Sequence, residues 1–342
     1  MPHNYNGTNR MKPQMQAYVR STGAYVPPRR MSNDELAQLV DTSDEWIFSH
    51  TGIRYRHIAA EGVAASDLAV EAAQIALQRA AVEPDEIDLI LVATSTPDYL
   101  GLPATACIVQ DRLQAGKAAA MDLVAACTGF VYGLQTARAF VESGAARTVL
   151  LIGTEVYSQI INWQDRNSCV LFGDGAGAVV VSAGRTAAGS RIIDGALYSR
   201  GQGAESLARL AGGSRRPMTA DQRTSAECFL SMDGRSVYNF AVPALVETIQ
   251  TLLQRNSLSF DDLDWVVPHQ ANVRIIDAAA RRAGFDPKKF FTNIAEYANT
   301  SAASIPIALD EMWRNGLLKR GQTIITVGFG GGLTYGGNLL IW

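Results

Sequence analysis

The chain has 342 residues, 47% of them hydrophobic and 18% charged, with a formal net charge of -3. That length favours about two domains or one large composite body, and the apolar content excludes a largely disordered chain. The mildly acidic balance gives no global reason to bind nucleic acid or an anionic membrane, so any basic site must be local.

Residues 1–16, "MPHNYNGTNRMKPQMQ", lack an apolar core region and read as a polar N-terminal tail, not a secretory leader. No apolar run reaches the length of a membrane span. The four cysteines show no paired spacing, so reduced thiols and a cytoplasmic setting are expected. From 76 to 93, "ALQRAAVEPDEIDLILVA" reads as a helix end, an acidic turn and a buried strand. Met121 to Ala125 then forms a short apolar strand, and Phe130, Leu134, Ala137 and Val141 recur at helical spacing.

Cys127 stands where that strand hands over to that helix. The first N–H groups of a helix lack internal partners and their dipoles favour an anion, so a thiolate is expected to be stabilised there. Free cysteine more commonly serves as a small buried filler, and that is the expectation for Cys107, Cys169 and Cys228. The glycine string "FGDGAGAVVVS" lacks a following Gly-Lys-Ser/Thr and runs into a strand. Gly173, Gly175 and Gly177 are therefore expected to serve close packing.

The chain also repeats itself. Residues 252–269, "LLQRNSLSFDDLDWVVPH", match 76–93 at an offset of 176, and both segments have the grammar of an α/β unit. A second gap-free match, at an offset of 172, sets "CTGFVYGLQTARAFVESG" on "NTSAASIPIALDEMWRNG" and so Cys127 on Asn299. Two halves, 17–185 carrying the cysteine and 186–342 carrying His269 and Asn299, are expected to be related by a pseudo-twofold axis that brings their helix starts to one central site. His269 closes the strand of "LDWVVPHQAN"; a histidine there is commonly structural, but with Cys127 and Asn299 it makes a Cys, His, Asn set.

Two chemistries use such a set. In a papain-like hydrolase the histidine and asparagine also follow the cysteine, but its local C-G-[SA]-C-[WY] context is missing here and the duplication has no role. The alternative is a thiolase-like condensing enzyme. The strings "DTSDEW", "TGIRYRHIA", "ACTGF", "FGDGAGA", "VPHQAN", "NTSAASIPIALDE" and "GFGGGLTYGG" resemble those of 3-oxoacyl-(acyl carrier protein) synthase III, also called ketoacyl synthase III, a multifunctional condensing enzyme of the thiolase superfamily. The resemblance runs from about Ala17 to Trp342.

The resemblance implies a five-layered α/β/α/β/α thiolase-like fold, a homodimer, and decarboxylative condensation of an acyl-CoA primer with malonyl-(acyl carrier protein) that initiates fatty acid synthesis. Cys127 would carry the acyl group, and His269 and Asn299 would donate hydrogen bonds to the enolate. The N–H groups of Cys127 and Gly331 would form the oxyanion hole. Phe329 would wall the acyl pocket, and Leu102 would floor the pocket of the partner chain. Trp46, His50 and Arg166 would take the nucleotide end of coenzyme A, with Asn272 and Arg274 along the pantetheine arm. His50 departs from the arginine of well-known members. Arg274, Arg281 and Arg282, with Lys288 and Lys289 nearby, would receive the acidic carrier protein. Neither metal nor cofactor is implied, since acyl-CoA is a substrate, and neither nucleic acid nor membrane is a partner. A specialised relative making polyketide or alkylquinolone metabolites would use the same residues. A degradative thiolase fits less well, because no cysteine follows Cys228.

Overall fold

The computed structural model describes residues 15–186, 188–218 and 226–342, so most of the polar tail lies outside the described residues. Strands β1 (Ala17–Tyr25), β2 (Leu89–Ala93), β3 (Ala119–Leu123), β4 (Thr148–Glu155) and β5 (Gly175–Ala183) form one sheet in the order β1-β5-β4-β2-β3. β2 runs parallel to β3 and β4, whereas β5 is antiparallel to β4 and β1. A second sheet holds β6 (Arg191–Ser199), β7 (Trp265–Pro268), β8 (Thr323–Gly330) and β9 (Thr334–Ile341) in the order β6-β9-β8-β7. Its pairings repeat the same senses, and a parallel bridge from Val266 to Phe290 stands where β3 stands in the first sheet.

Period-two burial produces the layers. Leu89 and Leu91 of β2 face a core shared with Ile324 and Leu340 of the second sheet. Ile90 and Val92 face the opposite way, onto Leu68, Ala72 and Ala76. The helices fill both sides. Among them are α1 (Asp44–Thr51), α2 (Ala65–Ala80), α3 (Gly129–Glu142), α4 (Gly234–Arg255), α5 (Val273–Ala283) and α6 (Ser304–Arg314). Between the sheets lie α3, through Phe130, Leu134, Ala137 and Val141, and α6, through Ile305, Leu309 and Met312. Outside them, α2 covers the first sheet, and α4 and α5 cover the second. The expected five layers are thus formed. Among the described residues no helix is long and apolar enough to cross a membrane.

The first repeat register holds in three dimensions. Asp88 accepts the N–H of Thr148 at 3.0 Å, and Asp264 accepts that of Thr323 at 2.8 Å. The second register needs correction. Ala126 (φ 47°) and Ser301 (φ 48°) open equivalent 3-10 turns before α3 and α6, an offset of 175 (126 to 301). Asn299 is therefore not the counterpart of Cys127. The helix ends, marked by Gly144 and Gly316 at positive φ, do match at 172 (144 to 316), because α6 has 11 residues and α3 has 14. A match of letters without gaps followed the glycines at the C-terminal ends; the backbone follows the turns at the N-terminal ends.

Close packing of the halves explains the glycine string. A Cβ on Gly177 would lie 2.7 Å from the Ile307 nitrogen of α6. Cys169 and Cys228 are buried as expected, but Cys107 is exposed. Its short helix, Thr105–Arg112, buries Ala106 and Val109 on the face away from it.

Candidate active site

Cys127 is 4% exposed, at the turn that starts α3 and beneath the end of β8. A Cβ on Gly330 would meet the Cys127 nitrogen at 2.7 Å, so only glycine lets the two backbones touch. Gly330 and Cys127 line one cavity of about 130 Å³ with His269, Asn299, Asn272 and Phe329. Gly331, singled out by sequence, is the next residue and packs toward the Leu207 carbonyl instead, with its virtual Cβ 3.0 Å away. A hollow of about 430 Å³ beside Asp165 and Asn167 shares Met232 and Gly234 with the cavity. The larger hollow by Arg29 and Trp163, about 590 Å³, contains none of the site residues proposed from sequence.

His269 follows β7 and is 1% exposed. Its N–H donates to the Val327 carbonyl at 2.8 Å, which ties it to β8. Its Nδ1 lies 2.7 Å from the Ser304 hydroxyl, and Phe329 meets the ring edge-on with centroids 5.6 Å apart. Burial pushes the imidazole down to about 3, so it is neutral at ordinary pH.

Asn299 is held by its backbone beside Phe172, donating to the Leu171 carbonyl at 2.9 Å and accepting from Gly173 at 3.1 Å. Its Oδ1 accepts the Ser301 N–H at 2.9 Å. That bond assigns the amide orientation and turns the Nδ2 donors away from the turn.

Burial pushes the Cys127 thiol up to about 12. Burial thus opposes the stabilisation of a thiolate expected from the helix start, while hydrogen bonding from the Cys127 backbone favours it. The sequence reading missed Ser301, Ser304 and Gly330. Their only signal was a run of small residues, "NTSAAS" and "GFGGG", which marks tight packing without saying what is packed.

A second constellation gathers at the contact of α1 and α5. Trp46 and His50, four positions apart on one helix face, stack at 4.4 Å. The Arg166 guanidinium sits 4.8 Å from the Trp46 ring and donates to the Asp41 carbonyl at 2.9 Å. Asn272 caps α5 by accepting the Arg274 N–H at 2.8 Å and reaches the His50 carbonyl at 3.1 Å. Arg274 Nε donates to the Ser49 carbonyl at 3.1 Å. Asn272 thus belongs both to this cluster and to the cavity lining.

Arg281 and Arg282 are exposed in the last turn of α5, about 10 Å along the helix from Arg274 at 1.5 Å per residue. Lys288 is exposed too, but Lys289 spends its ammonium on the carbonyls of Phe260 (3.1 Å) and Asp261 (2.9 Å) and leaves the basic patch. Leu102 is 86% exposed and is not part of the lining of the Cys127 cavity. It belongs with exposed Tyr99, Leu100, Met121 and Val124 near the free edge of β3.

Family models match two stretches: 3-oxoacyl-[acyl-carrier-protein] synthase III at residues 121–201, and the C-terminal part of the same family at 253–342. The chain is 47% identical over 324 residues to a beta-ketoacyl-[acyl-carrier-protein] synthase III of Clostridium acetobutylicum, covering 95% of this chain and 98% of that one. The crystal structure of a 3-oxoacyl-[acyl-carrier-protein] synthase III from Aquifex aeolicus VF5 superposes with a TM-score of 0.87 at 42% identity, covering 95% of this chain and 100% of that one. A priming beta-ketosynthase from the R1128 polyketide biosynthetic pathway is similar at 35% identity and a TM-score of 0.87, covering 96% and 98% of the two chains.

Proposed function

The chain belongs to the 3-oxoacyl-[acyl-carrier-protein] synthase III family, and from that premise we propose that it condenses an acyl-CoA primer with malonyl-(acyl carrier protein), releasing carbon dioxide and starting fatty acid synthesis. The observation that carries this reading is the meeting of Cys127, His269 and Asn299, from three separate segments, in one cavity. The family membership sets aside the papain-like hydrolase.

Cys127 attacks the acyl-CoA thioester and becomes the acyl-enzyme, and the N–H groups of Cys127 and Gly331 hold the tetrahedral oxyanion. The malonyl thioester then loses carbon dioxide. Its enolate oxygen takes hydrogen bonds from His269 Nε2 and Asn299 Nδ2, and its carbon attacks acyl-Cys127. A neutral imidazole that accepts the Ser304 hydroxyl at Nδ1 carries its proton on Nε2, the tautomer this step needs.

Trp46, His50 and Arg166 bind the nucleotide end of coenzyme A, Asn272 and Arg274 the arm, and Arg274, Arg281 and Arg282 the acidic carrier protein. Phe329 walls the acyl pocket. The enzyme works as a cytoplasmic homodimer in which Leu102 reaches the partner's pocket, and it uses no metal or cofactor and binds neither nucleic acid nor membrane. Priming of polyketide assembly is the second reading, favoured by the likeness to the R1128 priming ketosynthase, which is less similar in sequence than the Aquifex aeolicus enzyme.

The test is to incubate the protein with acyl-CoAs of graded length, locate the adduct by mass spectrometry and add malonyl-(acyl carrier protein). Acyl-Cys127 followed by carbon dioxide and a 3-oxoacyl product is expected. Hydrolysis without carbon dioxide overturns the reading.

A further inference from the structure

We propose that Thr334 is a positioning residue for the oxyanion hole: with Thr128 it ties the glycine loop that carries Gly331 to the turn that carries Cys127, and so fixes the spacing of the two backbone N–H donors. This rests on the condensing-enzyme reading for the role of those donors and deepens it by naming what holds them.

The two donors come from different halves of the chain, and the loop between β8 and β9 has little of its own to keep its shape. It opens on three consecutive glycines, Gly330, Gly331 and Gly332. Glycine has more conformational freedom to lose than any other residue, so such a run stays fixed only where its neighbours hold it. The glycines cannot simply be exchanged for stiffer residues. Gly330 touches the Cys127 nitrogen, and Gly332 stands at φ 129°, where a side chain is strained. The loop must therefore be held from outside.

One hold is on the segment after β6. Arg200 and Leu333 exchange both backbone hydrogen bonds, at 2.8 and 3.2 Å. That fastens the loop but does not set its distance from Cys127.

Thr334 supplies the second hold. It opens β9 and pairs with Gly330 across the hairpin. Its hydroxyl oxygen lies 3.0 Å from the Gly331 carbonyl, 3.2 Å from the Ala125 carbonyl and 2.7 Å from the Thr128 hydroxyl. The Thr128 hydroxyl is in turn 2.6 Å from the Ala125 carbonyl. That same carbonyl accepts the Thr128 N–H at 3.1 Å and closes the turn around Ala126 and Cys127. Among the described residues, the hydrogen bonds that join the glycine loop to the Cys127 turn all pass through these two hydroxyls.

Two hydroxyl protons serve these contacts. One arrangement puts a proton between the two hydroxyl oxygens and still leaves both carbonyls with a donor: Thr128 donates to Thr334, Thr334 donates to the Gly331 carbonyl, and the Ala125 carbonyl keeps the Thr128 N–H. The chain of bonds thus runs from the turn that holds one oxyanion donor to the residue that supplies the other. Thr128 is fully buried, so water does not replace its hydroxyl, and its methyl lies toward Gly328 of β8, 3.7 Å from where a Cβ would stand. A β-branched side chain packed in this way keeps one rotamer. Thr334 is not part of the lining of the Cys127 cavity and acts only through the backbone it holds. Spacing matters because such donors work at about 2.7–3.1 Å from the developing charge, and a misplacement of about 1 Å can cost about 10²-fold in rate.

The experiment measures single-turnover acylation of Cys127 by the acyl-CoA that labels wild type fastest, and alkylation of Cys127 by iodoacetamide, both located by peptide mass spectrometry. Iodoacetamide reacts at a saturated carbon and develops no oxyanion. Thr334→Val keeps the shape and loses the hydroxyl, whereas Thr334→Ser keeps the hydroxyl. Thr128→Ala removes the donor to Thr334 and carries the test if Thr334→Val does not fold. Thr334→Val is expected to lower the maximal acylation rate about tenfold, short of the loss of a whole donor. The acyl-CoA concentration that gives half that rate and the alkylation rate should stay unchanged. Thr334→Ser should restore acylation, and Thr128→Ala should lower it in the same selective way. Hydroxyl-free variants that acylate at the wild-type rate, that lose alkylation in equal measure, or that serine does not rescue overturn the proposal alone. A wild type that is alkylated but takes an acyl group from no acyl-CoA overturns the condensing-enzyme reading and the proposal with it.

Discussion

His269 Nδ1 and the Ser304 hydroxyl meet at 2.7 Å across 35 positions of chain, joining the end of β7 to the first turn of α6. The Gln270 N–H also donates to that hydroxyl, at 3.4 Å. The proposed enolate contact needs the proton on Nε2, and in that tautomer the Ser304 hydroxyl, which takes the Gln270 N–H, donates its own proton to Nδ1. Ser304→Ala is expected to lower condensation about tenfold, because part of the neutral imidazole adopts the wrong tautomer. Acylation of Cys127 should change much less. Single-turnover measurement of each half-reaction separates the two.

The buried imidazole also makes a stability prediction. Its folded value of about 3 lies below the ordinary 6.5, so the unfolded chain binds the proton more readily. The stability due to neutral His269 is fully present above about pH 6.5 and is lost progressively as pH falls toward 3. Urea midpoints of wild type and His269→Gln, measured at pH 7.5 and at about pH 5, should show a smaller acid-induced drop in the variant.

Glu155 has the opposite sign. Its folded value of about 7 lies above the ordinary 4.5, so its contribution is most favourable below pH 4.5 and is lost as pH rises through 7. Glu155→Gln should gain stability relative to wild type between pH 5.5 and about pH 8.5. Thermal melts across that range check it; a relative stability that does not change with pH contradicts burial as the cause.

The edge strand β3 exposes Met121, and Val124 just beyond its end is 80% exposed, with Leu100 at 69% and Leu102 at 86% on the loop that follows β2. An unpaired strand edge with this much apolar surface is suited to a second copy of the chain. Val124→Arg should yield a monomer by light scattering. It should also lower turnover with longer primers if Leu102 helps form the partner's pocket.

The stack of Arg166, Trp46 and His50 predicts a binding effect without a chemical one. Trp46→Ala is expected to raise KM for acyl-CoA up to about tenfold, the scale of one aromatic or cation–π contact, with kcat nearly unchanged. Arg282→Glu should instead raise KM for malonyl-(acyl carrier protein) alone, with the difference shrinking at high salt.

By itself the sequence carried the alternation of strands and helices, the duplication and the candidate set of Cys127, His269 and Asn299, while the five layers came with the resemblance of its motifs to a family. Burial at period two and at helical spacing follows local rules, and it places Leu89, Leu91, Phe130 and Leu134 in the shared core. The tertiary structure alone decided the register of the second repeat, because a turn opened by a residue at positive φ leaves no letter in common between Ala126 and Ser301. It also decided that Cys127 is buried, that the Ser304 hydroxyl meets His269 and that the Ser301 N–H meets Asn299. Desolvation and hydrogen bonding depend on which distant segments close over a site, and no spacing along the chain encodes that closure.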